Sequence, residues 1–199
     1  MHYNVSKEGG VMKQKLMDAA ITLWHEKSYD TVSITDICEY CEVTKGSFYY
    51  YFQSKSEILS DYFQMRSKAY QPEAIAKSMV TDSCIEKIWI LLSIFNQAAL
   101  DLGAELIRMM ICTSARELTI DSQTRYNSYI SRDIYDLILV SCSHGQETGE
   151  IRCDESPEDL IEYLMAEMTG LLLYWGASNE GFDIIAYQRK TLDLLLTAH

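Results

Sequence analysis

Val43-Thr44-Lys45-Gly46-Ser47-Phe48-Tyr49-Tyr50-Tyr51-Phe52-Gln53-Ser54-Lys55 is the stretch that decides the fold. Thr44 has the side chain of a helix cap, since its hydroxyl can accept from a free backbone N–H of the first turn. A short helix is expected from there to about Phe52. Its N-terminal half is polar, small or basic, and its aromatics are spaced to divide between core and solvent. Ser54-Lys55-Ser56-Glu57 is a capping box, so a fourth helix should open there and run to about Tyr70. Pro72 then allows a bend or a fresh start.

Upstream, Met12, Leu16, Ala19, Ala20 and Leu23 recur in steps of three and four, which predicts a helix over 11–26. Ser33-Ile34-Thr35-Asp36 opens a second short helix that ends near Cys41, with Asp36 in the acidic position of a capping box. Glu42-Val43 reads as the turn into the third helix. Three short helices, the last two joined by a tight turn, form the layout of a helix-turn-helix, whose second short helix enters the major groove of DNA.

Downstream the pattern is one of long helices: 82–102, apolar on most faces, then 104–116, 124–144, 156–175 and 182–196. Ser156-Pro157-Glu158-Asp159 is a strong start signal, with a capping serine, proline at the first helical position and acids at the positive end. No convincing alternating strand occurs. The expected fold is all-α with about nine helices. Residues 1–53 would form a helix-turn-helix domain, and residues 54–199 a larger helical domain for ligand binding and dimerisation.

At the residues quoted first, and at Ile34-Thr35-Asp36-Ile37, the sequence resembles the tetracycline-repressor (TetR) family of bacterial regulators. The motif covers roughly residues 12–60. The resemblance implies that Thr44, Lys45 and Ser47 face the groove, that Tyr49 and Tyr50 lie at a phosphate, and that Lys55 contacts a phosphate at the start of the fourth helix. Ser33 and Thr35 would meet phosphate at the start of the second. Phe48 and Phe52 would pack inward. Two departures stand out: the family usually has glycine where Ser28 and Glu42 stand. Glu42 should change the backbone of its turn and put a carboxylate near DNA.

The resemblance further implies a homodimer that binds a double-stranded DNA operator. A small-molecule effector would release it, as from a repressor. Leu160, Leu164, Met168, Leu171, Leu192 and Leu195 are the expected dimer contacts, with Gly170 allowing close approach of a partner helix. Trp89, Phe95, Met109, Tyr126 and Tyr129 are candidate lining residues of an apolar pocket between the helices starting near 82, 104, 124 and 156. Asn96 and Arg108 are its candidate polar groups.

Charge qualifies this reading. The formal net charge is −12, of which residues 1–57 carry −2 and the remainder −10. The acidic bulk therefore lies outside the DNA-reading segment. No arginine precedes Arg66, so Lys45 replaces the usual bidentate guanine reader with a point charge. The alternative is a helical protein-binding regulator that has lost sequence-specific DNA binding.

Other functions find little support. Cys38 and Cys41 make a CxxC, but no second Cys or His pair completes a zinc set, and both fall at small apolar positions of the second helix. The four histidines are isolated. No nucleophile motif or phosphate loop occurs, so neither catalysis, a cofactor nor a metal is expected. No apolar run approaches the ~20 residues a bilayer needs, and the N-terminus lacks a secretory stretch, which predicts a cytoplasmic protein.

Overall fold

The structure is a computed structural model. It describes residues 2–114, 130–178 and 181–197, with side chains described from Gly10 onward apart from Ser114. The described residues form nine helices and no strand: α1 His2–Lys27, α2 Ile34–Cys41, α3 Lys45–Tyr51, α4 Lys55–Met79, α5 Cys84–Leu102, α6 Ala104–Ser114, α7 Arg132–Thr148, α8 Pro157–Ala177 and α9 Ile184–Leu196.

Local chemistry sets most helix starts. Ser33, Thr44, Ser54, Ser83, Ser156 and Asp183 each accept from a backbone N–H in the first turn of the helix that follows. At Ser33 the box is complete, because the Asp36 carboxylate reaches back to the Ser33 N–H at 2.7 Å. At Ser54 the Glu57 carboxylate instead accepts from the N–H of Gln53, at 2.6 Å.

The helix expected over 124–144 is found in part, with Ile130 and Ser131 outside it. Positions 124–129 lie outside the described residues, and α7 starts at Arg132. It ends at Gly149, which takes a left-handed φ of 77°, and not at Gly145. Gly145 stays inside the helix, packed so closely that a Cβ there would lie 2.5 Å from Ile151 Cδ1.

Pro72 does not divide the chain. α4 runs through it to Met79. Interior proline costs about 3 kcal/mol. The packing face continues on both sides, with Phe63, Ser67, Ala74 and Ser78 buried in register, so tertiary contact with α5 outweighs that cost.

Helix α5 is the axis of the body. Ile88, Leu91, Leu92, Ile94, Ala98, Ala99 and Leu102 are all fully or nearly fully buried. α4, α6, α7 and α9 pack around it, and α8 lies against α6, α7 and α9. The head has its own centre in Leu16, Ala20, Trp24, Ile37, Phe48 and Phe52. Ile58 and Leu59 of α4 join it, so α4 serves both parts. Cys38 and Cys41 are buried, in accordance with a packing role.

Among the described residues two that are not glycine have left-handed backbones: Ser28 (φ 90°) and Glu42 (φ 57°). These are the two positions where glycine was missing. The expected change of turn at Glu42 does not occur. Val43 N–H bonds Cys38 O and Glu42 N–H bonds Glu39 O, a left-handed closure of α2 of the kind glycine favours. A Cβ in this region costs roughly 1–2 kcal/mol. Glu42→Gly is expected to stabilise the protein by about 1 kcal/mol, less than the full strain because glycine also loosens the unfolded chain. Urea unfolding checks this; an unchanged or lower midpoint would refute the strain.

Glu167 of α8 is the least comfortable carboxylate. Thr191 Oγ1 donates to its Oε1 at 2.6 Å, while Oε2 is sealed from solvent without a partner. Burial raises its pKa above the ordinary glutamate value, against the Thr191 bond that lowers it. A raised carboxylate pKa means the folded state holds its proton more tightly than the unfolded state does. Its contribution is complete below the ordinary glutamate pKa and is lost as pH climbs through the raised one. Glu167→Gln should therefore be more stable than the parent at pH 7, with the difference vanishing below the ordinary glutamate range. A pH series of melting curves showing the same gap at every pH would contradict this.

Candidate nucleic-acid interface

α2 and α3 meet through the Glu42–Val43 turn, with Phe48 and Phe52 anchoring α3 in the head. This fixes which face of α3 points outward. Thr44 and Lys45 are exposed and Ser47 is half-buried. Tyr49 and Tyr50 are 49% and 78% exposed, too much for core tyrosines. Their rings rest edge-on against Phe48 and Tyr51 respectively. Neither phenol has a hydrogen-bond partner among the described residues. Lys45 likewise makes no ion pair there. Thr44 is partly committed, since its Oγ1 accepts from Ser47 N–H at 3.2 Å.

The remaining sequence candidates are placed differently. Lys55 does not reach outward. Its ammonium donates to Tyr29 O at 2.8 Å and Val32 O at 2.9 Å, and lies 4.3 Å from the Tyr29 ring centre. Burial lowers its pKa, although Asp30 and Asp36 act in the opposite direction. The expected phosphate contact gives way to a positioning role: Lys55 ties the start of α4 to the loop before α2.

Ser33 is also engaged. Its hydroxyl donates to Asp36 Oδ2 at 2.6 Å, so the positive end of α2 is already faced by the chain's own carboxylate. The Ser33 bonds hold that carboxyl below its usual pKa. Thr35 is half-buried beside it.

Lys13 pairs with Asp61 at 2.5 Å and Lys15 donates to Cys41 O at 3.0 Å. That leaves Lys45 and the exposed Lys27 as the outward cations among the described head residues. Lys27 was missed in the sequence. It ends α1 close enough to Asp36 to lower its pKa. Its place after the last apolar residue of α1 was the available signal.

The pocket predicted for the body is not assembled as expected. Asn96 is fully buried, but its amide donates to Gln188 across the α5–α9 seam. Phe95 is 4% exposed and stacks on Phe63, which makes it core. Arg108 is exposed, because Leu106, Ile107 and Met110 take the inner face of α6. Met109 is half-buried. Tyr126 and Tyr129 lie outside the described residues. Trp89 does border a cavity, between α4, α5 and α9.

The dimer contacts need correction too. Leu160, Leu164, Met168, Leu171 and Leu192 are buried in the chain's own core, and Leu195 is partly buried against it. The outward face of α8 is instead Tyr163, Ala166, Gly170, Leu173, Tyr174 and Ala177, at helical spacing. Tyr187 and Leu194 of α9 continue it.

The structure is therefore a helix-turn-helix head on a helical body, with an aromatic and basic face of α3 turned outward. Residues 16–62 match the family model for bacterial regulatory proteins of the tetR family. Over 47 residues the chain is 47% identical to the biofilm operon icaADBC HTH-type negative transcriptional regulator IcaR of Staphylococcus aureus. That match covers 24% of this chain and about a quarter of the relative.

The body is compared through structure. The fold matches Thermus thermophilus FadR, a TetR-family transcriptional repressor solved with lauroyl-CoA, with TM-score 0.69, 21% identity and 92% of each chain covered. It also matches the transcriptional regulator FadR of Bacillus subtilis solved with stearoyl-CoA, with TM-score 0.64, 18% identity, and 94% and 99% of the two chains covered. Residues 16–62 thus resemble the TetR-family model, and the described chain shares the all-α fold of these two proteins. No single helix among the described residues is long and apolar enough to cross a membrane.

Proposed function

We propose that this chain is a ligand-responsive transcriptional repressor that binds a double-stranded operator as a homodimer in the cytoplasm and leaves it when a small molecule binds the body. The observation that carries the reading is α3, with Lys45, Tyr49 and Tyr50 outward and their ammonium and hydroxyl groups without hydrogen-bond or ion-pair partners among the described residues. The named activity of IcaR supports repression, and the acyl-CoA complexes of the FadR proteins support ligand response in this fold. We place the head at residues 1–53 and the body at 54–199, joined by α4. The exposed apolar faces of α8 and α9 are the proposed dimer surface, where two helices from each subunit would form a four-helix bundle. A ligand shifts such an equilibrium only if it binds the two states with different affinity.

The test is DNA affinity as a function of salt. Each phosphate neutralised contributes about 0.9 to the slope of log K against log salt. Lys45→Ala should flatten it by about two for a dimer with one Lys45 per head, and weaken binding about tenfold or more per head. Tyr49→Phe deletes one neutral hydrogen bond and should cost about 1 kcal/mol per head with little change of slope. Parental binding by both variants would remove α3 from the interface.

A further inference from the structure

We propose that the cavity between α4, α5 and α9 is the effector site, and that it takes a small uncharged aromatic molecule carrying one hydrogen-bonding group. This rests on the ligand-responsive reading above and gives it a place and a chemistry.

The cavity measures about 360 Å³, near the lower end of small-molecule sites and far too small for a CoA thioester. Its walls are mostly apolar: Tyr70 and Ala74 from α4, Trp89, Ile90 and Ile94 from α5, and Ile185 from α9. The charges around it are already matched. Lys77 pairs with Glu73 at 2.7 Å, Arg189 with Glu86, and Arg66 with Asp101 at 2.6 Å. Arg189 also covers the Trp89 ring, with its guanidinium carbon 5.4 Å from the ring centre. An ionic ligand would enter without a free counter-charge, so desolvation disfavours it.

The Trp89 indole N–H is sealed from solvent without a partner among the described residues, and the other polar group left over is the Gln97 amide. It is half-buried, lines the cavity and has no hydrogen-bond partner among the described residues. It offers an NH2 donor group and a carbonyl acceptor to an occupant. The neighbouring Ser93 hydroxyl is spent on Ile90 O at 2.7 Å.

The site is well placed to act on the head. The Tyr70 ring forms part of the wall while its hydroxyl donates to Asp101 at 2.7 Å, inside the clasp that Arg66 closes between α4 and α5. An occupant pressing on Tyr70 loads that clasp. α4 carries the load to Lys55, which holds the loop before α2.

The test uses the full-length protein and N-phenyl-1-naphthylamine, an uncharged aromatic probe with one N–H. The expected result is saturable binding of one probe per chain, with energy transfer from tryptophan that falls sharply in Trp89→Phe. Ser93→Phe, which fills the cavity, should abolish binding. Gln97→Met, which keeps the volume and removes the amide, should weaken it about tenfold. Circular dichroism and melting temperature establish that both variants fold. Saturation with probe should lower affinity for a DNA duplex selected by the full-length protein from a random pool at least fivefold. Absence of probe binding, or parental binding by folded Ser93→Phe, overturns the assignment. Probe binding at this site that leaves duplex affinity unchanged overturns its effector role. A chain that binds the probe here and never binds duplex DNA overturns the regulator reading instead.

Discussion

Gly170→Arg is expected to yield a folded monomer whose operator affinity falls on the order of 10²- to 10⁴-fold. Gly170 sits at the centre of the outward stripe on α8, and a Cβ built there has nothing within 4 Å. The subunit itself therefore has room for the longer side chain, and arginine is a better helix former than glycine. In a twofold interface the same patch meets itself, so each arginine would be pressed into the partner's apolar face. An unpaired buried charge costs about 3–5 kcal/mol, enough to separate the subunits. A lone head then loses the second half-site, whose effective concentration is set by the connection through the body. Sedimentation and DNA titration on one preparation read both effects. A Gly170→Arg protein that stays dimeric would move the interface off α8.

Gly176→Ala is expected to destabilise the protein by about 1–3 kcal/mol. This glycine lies only six residues further along α8, yet its surroundings are opposite. A Cβ there would stand 2.9 Å from Ala104 O, 3.0 Å from Arg108 N and 3.1 Å from Arg108 Cβ. Two of those atoms are backbone, which cannot swing aside as a side-chain tip would, so α6 and α8 must part along their crossing. Urea unfolding measures the loss, and a parental midpoint would show that the crossing yields freely.

The sequence showed the helix-turn-helix clearly because its determinants are local. Ser33, Thr44 and Ser54 act on backbone groups within three residues of themselves, so their spacing is visible in the chain. Features decided at a distance were harder to read. α4 passes Pro72 because α5 buries both sides of it. Apolar residues cover more than one face of α8, and nothing in the sequence says which face meets the chain's own core. Leu160, Leu164 and Met168 therefore looked free for a partner, and Tyr163, Leu173 and Tyr174 went unnoticed. Arg108 sits among Leu106, Ile107, Met109 and Met110, but a helix turns every fourth residue outward, and Arg108 takes that place. Lys55 reads as a phosphate contact until the loop at Tyr29 and Val32 folds over its ammonium. Ser28 and Glu42 are the reverse case: residues that look wrong for their turns and adopt the required backbone at a cost.

The central claim is that two copies of this chain read one symmetric stretch of duplex through α3. Selection of bound duplexes from a random pool by the full-length protein, followed by sequencing, tests it most directly. The account predicts enrichment of an inverted repeat, lost when the selection is repeated with Lys45→Ala. Recovery of unenriched DNA, or of no DNA at low salt, would contradict it.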